Sequence, residues 1–268
     1  MIDLRCHILD GTPCGPDSFA DSLEMCRAAI ADGVRTIVAT PRWEAGSSEP
    51  PLPLDECHRK LERLETETRG ALSFKLGFAM QFSAHLLGLL ERYGSRLALA
   101  DKRHLLVSLP SVEIPAEVED AWKSIRRGGF SVVLAHPECN TALRRNPARL
   151  ARWVAEGLTL QVDAASVLGT HGREVQRFAL ECLRKYEGHA VVASNVCWSA
   201  GQRHSLSKAL QELSGKIGAR QARGFMKETP AALIGEGVRR NNVRGDSSRS
   251  LTAVLRSFGP IKALTGES

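Results

Sequence analysis

The chain has 268 residues, of which 43% are hydrophobic and 25% charged, and its formal net charge is +6. This size and apolar content suit a soluble globular protein built as one large α/β barrel or as two small domains. No apolar run approaches the roughly 20 residues that span a bilayer, and residues 1–4 lack the basic and apolar regions of a signal peptide. We therefore expect a cytoplasmic protein without a membrane span.

The positive charge is concentrated near the C-terminus, and the cysteines show no pattern typical of disulfides. Residues 239–268 hold six Arg and Lys against two acidic residues, so +4 of the net charge lies in this segment. We expect a domain over residues 1–238 followed by a flexible, solvated basic tail, with no role in nucleic-acid binding. The seven cysteines are odd in number and contain no Cys-x-x-Cys pair, so a disulfide framework is not expected.

Strand and helix patterns alternate along the chain. Strands are predicted at 1–6, 36–40, 74–77, 105–109, 131–135, 158–162 and 190–194. Helices are predicted at 18–30, 55–69, 116–127, from 146, at 172–184, 205–227 and from 230. Continuous apolar strands that are each followed by a helix indicate a parallel sheet covered on both faces. Seven strands without a domain boundary favour one distorted seven-stranded (β/α) barrel of the TIM-like type.

Polar residues at the carboxyl ends of these strands define the candidate site, because barrel sites lie at that face. Reading along the chain, these positions carry Arg5 and His7, Arg42 and Trp43, Ala79, Ser108, His136 and Glu138, and Asn195 and Cys197. Arg5 and His7 lie two residues apart, so on a strand they point to the same face. The histidine can bind a metal, whereas the arginine can bind only an anion or a carboxylate.

Several short motifs occur in a characteristic order along residues 1–237. They are His-Ile-Leu at 7–9, Gly-Pro at 15–16, Ala-Thr-Pro at 39–41, Leu-Ala-His-Pro-Glu at 134–138, Gln-Val-Asp at 161–163, Ser-Val-Leu-Gly at 166–169 and Glu-Thr-Pro-Ala-Ala-Leu-Ile at 228–234. In this order they resemble the bacterial tyrosine phosphatases of the PHP (polymerase and histidinol phosphatase) superfamily, which serve capsule and exopolysaccharide systems. The resemblance implies the PHP barrel fold and a metal centre, usually of manganese, that hydrolyses phosphotyrosine.

The residues at the implied metal-ligand positions depart from the family pattern. Carried over one by one, these positions are Arg5, His7, Cys14, Arg42, Ala79, Ser108, His136, Asn195 and Cys197. Only two of them keep a histidine, and Cys139 stands where the family has an arginine for the phosphate. Since loss of a single ligand or supporting group already weakens metal binding strongly, we expect the manganese site to be lost and no cofactor to be bound.

The replaced positions allow two interpretations of the arginines. Arg5 and Arg42 would bind phosphate or phosphotyrosine through bidentate hydrogen bonds, with Arg203 joining the pocket and Trp43 stacking on the ligand. Alternatively, each arginine pairs with a nearby carboxylate and fills the old cavity, the candidate partners being Asp3, Asp10 and Glu138, while the tryptophans are packing residues.

Zinc is a further alternative at the same positions. His7 and His136, together with Cys14 and Cys197, offer softer ligands that suit tetrahedral zinc. Without zinc, these side chains are buried, hydrogen-bonded histidines and inert thiols. No local zinc-binding spacing in the sequence supports the site.

Taken together, the sequence predicts a catalytically degenerate tyrosine phosphatase homologue. It would bind or regulate a partner in capsule or exopolysaccharide synthesis, either a bacterial tyrosine kinase with a phosphotyrosine tail or an active paralogue. The sequence is also compatible with an oligomer. The alternative is a weakly active metal-dependent phosphatase that uses His7 and His136 with residual manganese or zinc. A third interpretation is a structural subunit with a closed, salt-bridged cavity.

Overall fold

A computed structural model describes residues 1–236 of the chain. The strands are β1 Ile2–Cys6, β2 Thr36–Ala39, β3 Arg42–Trp43, β4 Ser73–Leu76, β5 Ala79–Gln81, β6 His104–Ser108, β7 Ser131–Ala135, β8 Thr159–Asp163 and β9 Ala190–Ala193. The helices are α1 Phe19–Ala31, α2 Leu54–Glu67, α3 Leu86–Tyr93, α4 Val118–Arg127, α5 Thr141–Arg145, α6 Pro147–Ala155, α7 Ala164–Val167, α8 Arg173–Lys185, α9 Leu206–Ile217, α10 Ala219–Arg223 and α11 Thr229–Leu233.

The strands pair in parallel, as the alternating pattern predicts, but they form two sheets. One sheet has the order β1-β2-β4 and the other the order β3-β5-β6-β7-β8-β9. The division falls at Thr40-Pro41, between β2 and β3, and at Gly77-Phe78, between β4 and β5. Pro41 has no N–H to donate to a ladder. The pairing among the described residues is therefore not the one continuous seven-stranded ladder expected from the sequence.

Several contacts join β1 to the chain that follows β9. Cys6 and Val196 form an isolated parallel bridge. The carboxylate of Asp3, which is fully buried, accepts a hydrogen bond from the backbone N–H of Ser194 at 2.9 Å. These contacts bring the carboxyl ends of the first and last strands together, and the candidate site lies at those ends.

Both faces of the sheets are covered by apolar side chains. Leu4, Val38, Leu106, Val133 and Val191 pack in one buried cluster. The neighbouring positions on β2, β6, β7 and β9 belong to the other cluster, which the apolar faces of the helices complete. Successive side chains of a strand point to opposite faces, so burial on both sides explains why these strands are continuously hydrophobic.

Most predicted elements match observed ones within a few residues, and the differences have local causes. The helix predicted over 205–227 is divided into α9 and α10 because Gly218 adopts a φ of +96°. The sequence pattern missed β3, β5 and α3, which are only two, three and eight residues long.

The predicted domain boundary at 238 and the basic tail lie outside the described residues. Within residues 1–236, no helix has the length and apolarity to cross a membrane.

Gly15 shapes the turn that follows β1. Its N–H donates to the carbonyl of Thr12 at 2.9 Å. A Cβ atom at this position would lie 2.1 Å from the carbonyl oxygen of Leu9, a distance that the backbone cannot accept without moving. The turn that leads into the candidate site therefore requires glycine.

We predict that Gly15→Ala destabilises the protein by about 1–3 kcal/mol, because the added methyl group collides with backbone atoms. The matched control is Gly88→Ala in α3, where a Cβ meets no atom within 4 Å and where alanine should stabilise the helix by roughly 0.5–1 kcal/mol. Urea denaturation measures both changes. Equal stability of the two variants would contradict the steric argument.

Candidate functional site

Polar side chains meet at the carboxyl ends of β1, β7, β8 and β9. Arg5 and Asp163 lie within β1 and β8, and His7, His136 and Asn195 follow β1, β7 and β9. Two of these residues, His136 and Asn195, have positive φ values of 37° and 50°. The chain turns sharply at these strand ends, which aims the side chains at one another.

Arg5 is a buried cation that the structure pairs internally. Its side chain is 7% exposed, and Nη1 donates to Oε1 of Gln161 at 3.1 Å and lies 3.8 Å from Oδ1 of Asp163. Burial lowers the pKa of Arg5, while the charge of Asp163 opposes that shift. The side-chain partner of the guanidinium is thus none of the three carboxylates expected from the sequence, which were Asp3, Asp10 and Glu138.

Asp163 is the centre of a buried hydrogen-bond network. Its Oδ1 accepts from Nε2 of Gln161 at 2.8 Å, and its Oδ2 accepts from Nδ2 of Asn195 at 2.9 Å. Its backbone N–H donates to Oε1 of Glu138 at 2.8 Å. Through the side chain and the backbone of Asp163, this network connects the ends of β7, β8 and β9.

Glu138 is fully buried, and within residues 1–236 its Oε2 has no hydrogen-bond partner. Burial, followed by the charge of Asp163, raises the pKa of Glu138 to about 8. A carboxyl group with that pKa keeps its proton at neutral pH. Glu138 therefore supports the turn after β7 mainly as a neutral acid.

His7 and His136 are both uncharged at neutral pH. Burial and then the charge of Arg5 lower the pKa of His7 to about 3 and that of His136 to about 4. The backbone N–H of His136 donates to the carbonyl of Gln161 at 2.7 Å, which fixes its turn. A neutral imidazole is the form that binds metal ions.

Arg42 lies at the surface of the site beside two thiols. Its Nη1 donates to Sγ of Cys14 at 3.9 Å, and the carbonyl of Cys14 accepts from the N–H of Trp198 at 3.0 Å. Burial raises the pKa of Cys14. Burial also acts to raise the pKa of Cys197, but hydrogen bonds from Ser199 and Cys14 lower it overall. Arg42 takes part in none of the ion pairs found within residues 1–236.

Two of the inherited ligand positions contribute little to metal binding. Ala79 is buried in β5 opposite Arg42, and a methyl group cannot bind an ion. The hydroxyl of Ser108 donates to the carbonyl of Met80 at 3.4 Å. This side of the site is therefore nearly free of metal ligands.

Two residues assigned to the ligand pocket from the sequence have other roles. Trp43 is 1% exposed and packs edge-on against Phe78 and Tyr93, so it has no free face for a ligand. The side chain of Arg203 is 62% exposed, lies 4.0 Å from Glu24, and covers the ring of Trp198 at 5.2 Å. A position near a strand end in the sequence does not reveal whether Trp43 packs in the core or where the loop of Arg203 lies.

The structure also brings together residues that sequence reasoning missed. Two groups of three possible metal ligands have their ligand atoms within 4.8 Å of one another in residues 1–236, and they are Asp3–Cys6–His204 and Cys139–Asp163–His171. Neither group contains the expected zinc set of His7, His136, Cys14 and Cys197. His171 lies between Gly169 and Gly172 in the turn that follows α7, and a histidine in a glycine-flanked turn was the available signal.

Comparison with known proteins places this geometry in context. The chain is 30% identical to the tyrosine-protein phosphatase YwqE of Bacillus subtilis over 198 residues, which covers 72% of this chain and 76% of the relative. It is 24% identical to the tyrosine-protein phosphatase CpsB of Streptococcus pneumoniae over 240 residues, covering 87% and 98%. Both identities agree with the resemblance found in the motifs.

A solved structure of the same kind shares the fold. It comes from work on YwqE and CpsB described as unique metal-dependent tyrosine phosphatases, and it superimposes with a TM-score of 0.76 at 25% identity, covering 89% of this chain and 96% of its own. The expectation that no cofactor is bound, drawn from the replaced ligands, is contradicted by this finding and was wrong. That expectation rested on the inherited positions alone, whereas the fold also brings possible ligands together elsewhere.

The family model for capsular polysaccharide synthesis, CpsB/CapC, matches residues 1–235, which is nearly every residue that the structure describes. The predicted kinship with PHP-fold tyrosine phosphatases of capsule synthesis is thereby confirmed, and the chain belongs to the CpsB/CapC family.

Proposed function

We propose that this chain is a weakly active, metal-dependent tyrosine phosphatase that acts on a phosphorylated protein of capsule or exopolysaccharide synthesis. The observation that carries the proposal is the family match over residues 1–235 together with two neutral histidines, His7 and His136, at the strand ends. The relatives are named tyrosine-protein phosphatases. The phosphotyrosine tail of a bacterial tyrosine kinase is the substrate class that this setting suggests.

The residues present fit a metal centre with few ions better than one with several. Nδ1 of His7 is buried and lacks a hydrogen-bond partner within the described residues, as a nitrogen reserved for an ion would be. Arg5, Arg42 and Ala79 cannot bind metal at the positions where the resemblance places ligands. A bound divalent ion would neutralise phosphoryl oxygens and activate a water molecule.

The side chains of the protein divide the remaining work between them. Arg42 has an exposed guanidinium without a carboxylate partner in the described ion pairs, so we assign it to the phosphate group of the substrate. Arg5 is committed to Gln161 and Asp163, so we assign it to holding the strand ends in place. A fixed buried cation also repels a divalent ion, which is the reason that weak activity is proposed.

A second candidate function is binding of phosphotyrosine without turnover. Arg5 favours it, because a guanidinium stands where the resemblance places the first ligand. In this case Arg42 would still bind the phosphate group, and the protein would regulate the kinase tail or compete with an active paralogue. The two functions differ in whether phosphate is released.

We expect slow hydrolysis of an aryl phosphate that depends on added manganese or zinc and falls at least 10-fold in His136→Ala. The reason is the loss of one of two remaining inherited imidazoles, a loss that commonly costs 10–100-fold. Phosphate release by the purified protein measures it. His58→Ala, at an exposed position in α2, serves as the control and should keep full activity. Turnover no higher than in metal-free buffer would leave binding alone as the function.

Arg42→Gln should weaken binding of a phosphotyrosine peptide by about 10–100-fold, since a hydrogen bond to a charged group contributes roughly 1.5–3 kcal/mol. Isothermal titration calorimetry gives the dissociation constants. Arg220→Gln removes an equally exposed guanidinium from α10 and should bind like the wild type. If Arg42→Gln also binds normally, the phosphate does not sit at Arg42.

The buried His7 makes stability depend on pH. Its pKa is about 3 in the folded protein against an ordinary value of 6.5, so below pH 6.5 the unfolded chain binds a proton that the folded chain does not. Stability is therefore lost as the pH falls. Relative to His7→Gln, the wild type should lose about 1.6 kcal/mol between pH 6.5 and pH 5.

Urea denaturation of chelator-treated protein at both pH values measures this difference. His58→Gln, in which an exposed histidine is replaced, should follow the wild type across the same range. An identical pH dependence in His7→Gln and the wild type would show that His7 accepts a proton in the folded state.

A further inference from the structure

We infer that Cys139, Asp163 and His171 form a zinc site, separate from the positions where the resemblance places the metal ligands. The ligand atoms of the three residues all lie within 4.8 Å of one another. This inference does not depend on the proposed phosphatase activity, because it concerns a different set of side chains.

The spacing of two of these atoms suits a shared ion. Sγ of Cys139 lies 3.5 Å from Nδ1 of His171. In a tetrahedral zinc site with bonds of about 2.3 Å to sulfur and about 2.0–2.1 Å to nitrogen, the two ligand atoms are roughly 3.5 Å apart. A thiol–imidazole hydrogen bond has a similar length, so the experiment must separate the two.

Each of the three side chains is held by rigid backbone. Cys139 ends the 3-10 turn Pro137–Cys139, and its N–H donates to the carbonyl of His136 at 3.0 Å. His171 lies in a turn closed by a hydrogen bond from the N–H of Gly172 to the carbonyl of Gly169 at 3.0 Å. Since backbone hydrogen bonds fix both turns, binding would require little further loss of chain entropy.

Asp163 is preorganised by its hydrogen bonds. Its two oxygens accept from Gln161 and Asn195 at 2.8 and 2.9 Å, and each carboxylate oxygen can accept a second contact. The ion would use one of the remaining lone pairs. Supporting hydrogen bonds of this kind orient metal ligands in proteins.

The surrounding groups include one further carboxyl oxygen and two cations. Glu138 is fully buried beside Cys139, and within residues 1–236 its Oε2 has no hydrogen-bond partner. The nearby cations are Arg5, which lies 3.8 Å from Asp163, and Arg144, whose Nη1 donates to the backbone carbonyl of Glu138. Binding of Zn²⁺ with release of the Cys139 thiol proton would add a single positive charge to this region.

Access from solvent separates this group from the second one. His171 is exposed and Cys139 is half-buried, so an ion can reach them. In the group Asp3–Cys6–His204, the side chains of Asp3 and His204 are 0% and 1% exposed, and Ser194 already donates to Asp3. Thiolate, imidazole and carboxylate ligands together select zinc over manganese, with one position left for water or a phosphate oxygen.

Cobalt titration of the full-length, chelator-treated protein tests the site. Co²⁺ replaces zinc and gives a thiolate-to-cobalt charge-transfer absorption only when a cysteine is a ligand. We expect one thiolate-bound Co²⁺ per chain, identified by this absorption. The absorption should be lost in Cys139→Ser, and the affinity for this Co²⁺ should be at least 10-fold weaker in His171→Ala. Cys197→Ser, at another half-buried thiol of the site, should keep the absorption.

Three results would overturn the inference. They are the absence of a charge-transfer band in the wild type, a band that persists in Cys139→Ser, and a band that is lost in His136→Ala but kept in His171→Ala. His171 is exposed, so its variant remains informative if Cys139→Ser does not fold. Because absorption is independent of phosphate release, a failed phosphatase assay leaves this test intact, and a failed cobalt test leaves the phosphatase proposal standing.

Discussion

The buried contact between Arg5 and Asp163 is the constraint on which the strand-end site depends. A guanidinium that is 7% exposed must have a compensating partner, because an unpaired buried charge costs several kcal/mol. Asp163, 3.8 Å away, supplies the charge, and Gln161 accepts a hydrogen bond at 3.1 Å. This arrangement connects β1 to β8 across the site.

The electrostatics of the neighbouring groups follow from burial and then from that pair. Glu138 is buried and lies close to Asp163, so its pKa is raised to about 8. His7 is buried and lies close to Arg5, so its pKa is lowered to about 3. Burial, reinforced by these two side chains, thus keeps a neutral acid and a neutral base at the same strand ends.

The site lacks several of the ligands that the resemblance implies and contains possible ligands at other positions. Positions such as Ala79 and Arg5 cannot bind metal, and a count of inherited ligands alone therefore led to the incorrect expectation of a protein without a cofactor. The fold, however, places Cys139 and His171 beside Asp163, although these residues belong to three separate turns or strand ends. Arg42 remains exposed at the entrance. Phosphate recognition and metal binding would then be handled by different residues.

The sequence by itself determined the parallel α/β architecture, the family and the strand ends that carry the site. Continuous apolar strands such as 131–135 report burial on both faces, and motifs such as Ala-His-Pro survive as local patterns. Only the tertiary structure decided that the strands pair as two sheets, that Trp43 is a core residue, and that Arg5 pairs with Asp163. These outcomes depend on distances between residues far apart in the chain, such as Arg5 and Asp163, and periodicity and composition carry no information about such distances.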